Sequence, residues 1–161
     1  MIKKAVVFLT LFSLLVSLVS CGDSSGVIEH CEMRLTLGED FYKTENPDFD
    51  ITYTNGEYIA AVLRITFVAA VREGIGETMT PLEFAEYWID RCGRLAVARQ
   101  EGVAFCEYYD ESERGESFYY LEAFYRSQYA YFVVLFAAAK DDESAAREKF
   151  LEYANSVIFV D

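Results

Sequence analysis

Nucleophilic catalysis in this chain would have to use His30, because it is the only histidine among the 161 residues. A serine or cysteine nucleophile needs a base beside it, and the sequence holds no G-x-S-x-G elbow or other recognisable nucleophile motif. A zinc site would need clustered His and Cys ligands, which the sequence does not offer. We therefore predict neither a catalytic nor a metal-binding role for His30.

Three cysteines follow Cys21, and they fall on different predicted elements. Cys31 and Cys106 lie on strands and Cys92 lies on a helix. One disulfide in any of three pairings, with one thiol left free, is one interpretation, and three small buried thiols is the other. A redox-active pair is disfavoured because the sequence contains no C-x-x-C motif.

Acidic residues cluster at 110–113 and at 141–143. Neither run has the D-x-[DN]-x-[DN]-G spacing of a calcium loop, so a solvated turn and a helix N-terminus explain them. Two carboxylates brought together by the fold could still act as acid and base, as in glycosidases. A carboxylate-dependent hydrolase therefore stays open as an alternative function.

Aromatic side chains are concentrated in one stretch near the C-terminal third. An exposed row of tyrosines there could bind a sugar, a peptide or another protein, since the ring is apolar and the hydroxyl is polar. Cross-strand aromatic pairs inside a sheet are the structural alternative. The residues expected on such an interaction face are Tyr119, Tyr125, Tyr129 and Tyr131.

The N-terminus has the layout of an export signal. Lys3 and Lys4 precede the apolar run Ala5–Val19, which is 15 residues long and shorter than the span of about 20 that a transmembrane helix needs. Leu18-Val19-Ser20-Cys21 resembles the lipobox of bacterial lipoproteins. The resemblance implies that residues 1–20 are removed, that the Cys21 thiol is diacylated, and that residues 21–30 form a polar tether. An ordinary secretory signal is the alternative.

Charge and composition exclude several classes of protein. The chain has 14 basic and 27 acidic residues, and loss of Lys3 and Lys4 leaves 12 against 27, a formal net charge of −15. Nucleic acid is therefore a poor partner, and the acidic surface is repelled by anionic headgroups. Hydrophobic residues make up 53% of the chain, which argues against disorder. We expect a single globular domain over 31–161, with no cofactor.

Alternating apolar residues predict the first strands. Cys31, Met33, Leu35 and Leu37 share one parity, and a second strand covers 49–53. Asn55-Gly56 then predicts a type I′ hairpin, in which both central residues have positive φ. In the partner strand, over 57–70, apolar residues occupy both the even-numbered and the odd-numbered positions, which is typical of a strand covered on both faces.

The clearest local signal is the capping box Thr80-Pro81-Leu82-Glu83, which opens a helix that ends near Gly93 and carries Trp88 on its apolar stripe. An antiparallel meander follows, then a helix and a short extended segment. These elements are predicted at Val103–Tyr109, Phe118–Arg126, Tyr129–Ala138, Asp142–Ser156 and Val157–Val160.

This order predicts an α+β fold, an antiparallel sheet with helices on both faces. The layout resembles the PsbP-like family, an α/β/α sandwich that also includes the periplasmic lipoprotein DcrB. The resemblance rests on element order, on the helix opening TPLEFAEYWIDR, on the tyrosine-rich strands and on the closing REKFLEYANSVIFV. Members of that family perform different tasks, so the resemblance implies a fold and no single function.

These observations together predict a binding or interaction protein. It would be held on the extracytoplasmic face of the cell envelope by acyl chains on Cys21, and its partner would be an envelope protein, a cell-wall component or a small ligand. The alternatives are the carboxylate-dependent hydrolase and an accessory subunit of an envelope complex. Absence of a recognisable catalytic motif favours binding over enzymatic activity.

Overall fold

The computed structural model describes residues 26–112 and 115–160, and these ranges contain two antiparallel sheets. The predictions for the signal segment and for Cys21 lie outside the described residues. In chain order the strands are β1 (Val27–His30), β2 (Met33–Thr36), β3 (Tyr42–Thr44), β4 (Ile51–Thr54), β5 (Tyr58–Thr66), β6 (Arg99–Glu101), β7 (Val103–Glu111), β8 (Ser117–Arg126), β9 (Ala130–Ala139) and β10 (Ile158–Phe159).

The larger sheet has seven strands in the order β3-β4-β5-β9-β8-β7-β6, and the smaller has three in the order β1-β2-β10. Strands β7, β8 and β9 form the predicted meander. β9 lies between β5 and β8, and nine of its ten residues are buried. A strand with apolar residues on both parities requires cover on both faces of the sheet.

Helices supply that cover from both sides: α1 (Phe67–Arg72) and α2 (Pro81–Cys92) on one face, α3 (Glu143–Asn155) on the other. Phe84 and Ile89 of α2 pack with Val133 of β9, whereas Phe150 of α3 packs with Phe136 from the opposite side of the same strand. The predicted α+β class, with helices on both faces of an antiparallel sheet, is confirmed. None of the helices in the described ranges is long and apolar enough to cross a membrane.

The predicted capping box is present at the start of α2. The Thr80 hydroxyl accepts a hydrogen bond from the Glu83 amide (3.3 Å), and the Glu83 carboxylate accepts one from the Thr80 amide (2.7 Å). Gly93 ends the helix in the left-handed conformation with φ +65°. Trp88 is partly buried and packs against Phe84, with 5.9 Å between ring centroids.

The strand boundaries near the N-terminus differ from the prediction. Cys31 lies in the turn between β1 and β2 with φ +52°, because β1 is an additional strand that folds back on β2. β5 ends at Thr66, whose hydroxyl accepts a hydrogen bond from the Ala69 amide (3.3 Å) and so caps α1. The predicted strand over 57–70 therefore changes into a helix for its last four residues.

The Asn55-Gly56 turn joins β4 to β5 as predicted, but its type differs. Only Gly56 has positive φ, +93°, whereas a type I′ turn needs positive φ at both central residues. The Asn55 Oδ1 atom accepts hydrogen bonds from the amides of Glu57 (3.0 Å) and Tyr58 (2.7 Å). Asn55 does not have positive φ, so the type I′ prediction is wrong.

We predict that Phe150→Ala destabilises the fold by about 3–5 kcal/mol, the usual cost of deleting a buried phenylalanine ring. Phe150 is fully buried and packs on Tyr58, Tyr119 and Phe136, with centroid distances of 5.3, 6.0 and 5.3 Å. Urea unfolding measures the change. The exposed Glu148→Ala on the same helix is the control, and a loss at Phe150 no larger than at Glu148 would contradict the packing.

Candidate functional site

A groove of about 400 Å³ opens where the β8–β9 turn meets the C-terminal strand. We call it the Glu32 groove, after the carboxylate that lies in it. The residues lining it are Glu32, Arg126, Ser127, Gln128, Tyr129, Phe159 and Val160. The β1–β2 turn, the β8–β9 turn and β10, which are distant in sequence, therefore meet at one end of the sheet.

Glu32 is held by two partners, Arg64 of β5 and Ser127 of the β8–β9 turn. Its carboxylate accepts hydrogen bonds from Arg64 Nε (3.0 Å) and Nη2 (3.2 Å) in a bidentate pair, and from the Ser127 hydroxyl (2.7 Å). Burial raises the pKa of Glu32, but the bonds from Arg64 and Ser127 outweigh this effect, so the pKa lies below its ordinary value of 4.5. Glu32 is therefore an ionised, fixed acceptor at neutral pH.

Ser127 fixes the turn beside that carboxylate. Its hydroxyl oxygen accepts hydrogen bonds from the amides of Tyr129 and Ala130, each at 3.0 Å, while its proton is donated to Glu32. Arg126 extends in the other direction, where its guanidinium donates to the Glu77 carbonyl (3.0 Å) and lies over the Phe67 ring. The turn is thus tied to both faces of the sheet.

Aromatic side chains form the apolar part of the groove. Tyr129 is 57% exposed and Phe159 is 37% exposed. The Phe159 ring lies against Phe132, at a centroid distance of 5.3 Å, and near Tyr125 at 6.3 Å. The groove therefore combines a fixed carboxylate, an arginine and two exposed rings, a set that suits a ligand with both polar and apolar parts.

Of the four tyrosines predicted as an interaction face, only Tyr129 is exposed. Tyr119, Tyr125 and Tyr131 are buried because both faces of the sheet are covered, so for these three the prediction is wrong. Their hydroxyls are bonded internally, to Glu107 (2.6 Å), to the Ala154 carbonyl (2.7 Å) and to the Gly76 carbonyl (2.5 Å) respectively. Burial is the main cause that raises the pKa of Tyr119 and Tyr125.

His30 lies near Cys31 and Asp50, but the arrangement does not resemble a catalytic relay. The Nε2 atom is 3.8 Å from the Cys31 sulfur and 3.7 Å from an Asp50 carboxylate oxygen. A cysteine–histidine–aspartate relay needs the nucleophile and the carboxylate on different ring nitrogens. Here the same nitrogen faces both groups, and Asp50 also accepts a hydrogen bond from the Arg64 amide (2.6 Å).

A second fixed carboxylate, Glu122, lies under α2. It is 2% exposed and accepts hydrogen bonds from the Arg94 guanidinium and from the Tyr108 hydroxyl (3.2 Å). Burial raises the pKa of Glu122, while Arg94 opposes that change. The indole nitrogen of Trp88 is buried and has no hydrogen-bond partner of normal geometry. It nevertheless favours the ionised form of Glu122, and so acts with Arg94 to lower the pKa of that carboxylate. The cluster anchors the chain that follows α2.

The remaining cysteines carry free thiols: Cys31 and Cys92 are exposed, and Cys106 is buried. Burial raises the pKa of the Cys106 thiol to about 12, so it is an unreactive core residue at neutral pH. Across residues 26–112 and 115–160, no three His, Cys, Asp or Glu side chains are grouped so that they could hold a metal ion.

Similarity to one solved structure supports the fold. No model of a protein family and no curated protein matches the chain. A crystal structure from Bacteroides thetaiotaomicron VPI-5482 covers 81% of this chain with a TM-score of 0.52 at 9% identity, and the match spans 46% of that protein, about half its length. The solution structure of cyanobacterial PsbP (CyanoP) from Synechocystis sp. PCC 6803 covers 91% of this chain and 99% of its own, with a TM-score of 0.47 and 12% identity.

The sequence indicated only part of this groove. The Ser127-Gln128 turn and the aromatic Tyr129 were visible, but Glu32 lies 95 residues before Ser127. Arg64 sits in an apolar strand, where a lone arginine gives no sign of its partner. A charged residue inside a strand predicted to be covered on both faces is the one signal that could have pointed to a buried ion pair.

We predict that Glu32→Gln lowers stability at pH 7 and that the difference from wild type shrinks as the pH falls below 4.5. The pKa of Glu32 is depressed in the folded state, so its stabilising effect is present above the unfolded value and is lost as the pH falls through the folded one. Urea midpoints at pH 7 and pH 3 measure this. The control is Glu29→Gln in the same hairpin. If the stability difference between Glu32→Gln and wild type were the same at both pH values, the lowered pKa of Glu32 would be refuted.

Proposed function

We propose that this protein is a lipid-anchored binding protein of the extracytoplasmic cell envelope, and that the Glu32 groove is its recognition site. The observation that carries the binding part is the groove itself, where an immobilised carboxylate stands beside an exposed tyrosine ring. The anchor part rests on the lipobox-like Leu18-Val19-Ser20-Cys21. The partner is an envelope protein, a cell-wall component or a small ligand.

Binding is favoured over hydrolysis by the state of the enclosed carboxylates. Glu32, Glu107 and Glu122 each accept hydrogen bonds from an arginine and from a hydroxyl group. A general acid or nucleophile must be free to approach substrate and to change its protonation state. Carboxylates that already accept hydrogen bonds from an arginine and a hydroxyl group serve as fixed structural and recognition groups.

The groove also fits an adaptor role within a larger complex. Tyrosine and arginine are among the residue types enriched at the hot spots of protein interfaces, and Tyr129 and Arg126 both line the groove. The Ser127 turn holds them with little freedom to rearrange, which reduces the entropy lost on binding.

For the anchor, we predict that the wild-type chain carries added acyl mass and sediments with membranes, and that Cys21→Ala loses both properties. Two or more acyl chains make a stable anchor because each buried CH₂ contributes about 0.8 kcal/mol. Intact-mass measurement and membrane fractionation test this. A soluble, unmodified wild-type protein would disprove the anchor.

For the groove, we predict that a photoreactive amino acid at position 129 captures a partner in intact cells, and that the same group at position 42 does not. Tyr42 is the matched control, because it is 45% exposed and lies on the edge strand β3 at the far side of the sheet. Adding Glu32→Ala should reduce capture at 129 by about tenfold if the carboxylate takes part in recognition. Equal capture at both positions would show that the groove has no special role.

A further inference from the structure

Strand β10 is an edge of the smaller sheet, and it lacks the charged residues that the other edge strands carry. The described ranges contain four edge strands, β1, β3, β6 and β10. β1 contains Glu29, β3 contains Lys43 and β6 contains Glu101. Charged side chains on an edge strand discourage pairing with another chain. In contrast, β10 and the residue after it read Ile158-Phe159-Val160, and these three apolar side chains are all exposed.

The register of β10 on β2 leaves the main-chain groups of Phe159 directed outward. Phe159 lies opposite Met33, and the next amide, that of Val160, donates to the Glu32 carbonyl (2.8 Å). In an antiparallel pair, residues bonded to the partner strand alternate with residues whose N–H and C=O groups point away from it. The Phe159 amide and carbonyl therefore point away from β2, and no hydrogen bond between described residues engages them. They are free to pair with a further strand.

The Glu32 groove lies where an added strand would place one of its side chains. The Phe159 ring packs on Phe132 and lines the groove together with Tyr129. Residues that lie opposite each other on neighbouring strands point to the same face of a sheet. The side chain opposite Phe159 would therefore enter the groove beside two aromatic rings, which favours an apolar group there. Its two neighbours along the added strand would point to the other face.

The charge of the protein favours a basic partner over a second copy of the chain. The chain has 27 acidic and 14 basic residues, a formal net charge of −13. A net charge of this size attracts cationic molecules and repels molecules of the same sign. Pairing of β10 with β10 of a second copy would bring two such acidic domains together edge to edge.

We propose that β10 accepts an extended, basic peptide segment as an added strand of the smaller sheet, with an apolar side chain of that segment in the Glu32 groove. The inference rests on the proposed function, since it names the chemical class of the partner at the same groove. In recognition by strand addition, main-chain hydrogen bonds hold the peptide and pockets for alternate side chains give specificity. Here the Phe159 amide and carbonyl supply the main-chain bonds, and the groove supplies the pocket.

A peptide probe and two N-methylated forms of it test this inference. The capped peptide Lys-Thr-Val-Leu-Val-Thr-Lys is titrated into the isotope-labelled full-length chain in detergent micelles, and the amide NMR signals of the protein are followed. One form is N-methylated at the central Leu and the Thr after it, and the other at the two Val residues. Because successive N–H groups of an extended peptide point to opposite edges, each form loses the donors of one edge only.

The inference predicts that the Phe159 amide signal shifts while the signals of edge strand β3 do not, and that one N-methylated form binds at least about tenfold more weakly than the other. Ile158→Lys should weaken binding several-fold, because it places a positive charge on the edge, whereas Ile158→Thr should not. The amide spectrum of each variant reports its fold. No shift at Phe159, equal affinity of the two forms, or a shift that follows protein concentration alone overturns the inference.

Tyr129→Ala separates the strand pairing from the groove. Several-fold weaker binding of the probe by this variant supports both. Unchanged binding with the same difference between the N-methylated forms overturns the groove as the recognition site, while the pairing at β10 stands. Capture of a partner at position 129 in cells, with no shift at Phe159 on adding the probe, overturns the pairing and leaves the proposed function in place.

Discussion

Cover on both faces of strand β9 is the constraint on which the rest of the structure depends. β9 lies between β5 and β8. On one face its side chains belong to the cluster under α3. On the other face Tyr131 and Val133 belong to the cluster under α2, and Leu135 and Ala137 belong to a third cluster with Phe118 and Tyr120. Since exposing either face would leave a row of aromatic and aliphatic side chains in water, the fold is stable only when both covers are in place. One cover comes from the N-terminal hairpin and α3. On the other face, α1 and α2 cover the part of β9 that contains Tyr131 and Val133.

This constraint also places the groove. Covering the α3 face brings the β1–β2 hairpin and β10 across the end of the large sheet, and the Cys31 turn then carries Glu32 to Arg64 and Ser127. The charged groups are thus bonded to one another as a consequence of packing, and Tyr129 remains outside because it belongs to the turn and not to a strand. The proposed recognition site is thus a rim that the core packing has made rigid.

Local signals in the sequence were sufficient for the α2 capping box, the β7–β9 meander and the α+β class. They failed where long-range packing decides the outcome. The concentration of aromatic residues cannot tell which faces of a sheet are covered, so the sequence places Tyr119, Tyr125 and Tyr131 on a surface although they are buried. Strand β1 and the change from β5 to α1 were missed because a short segment takes its form from its partner or from one capping side chain, here Thr66.

Native-state hydrogen exchange, resolved to individual amides, tests whether β9 is covered on both faces. If β9 is covered on both faces, the amides of β8 and β9 exchange only through global unfolding and are the slowest in the protein, while the edge strands β3 and β6 exchange through local opening. Amides of β9 that exchange as quickly as those of β3 or β6 would contradict this cover on both faces. One face of the central strand would then be open, and the position of the Glu32 groove would have to be explained in another way.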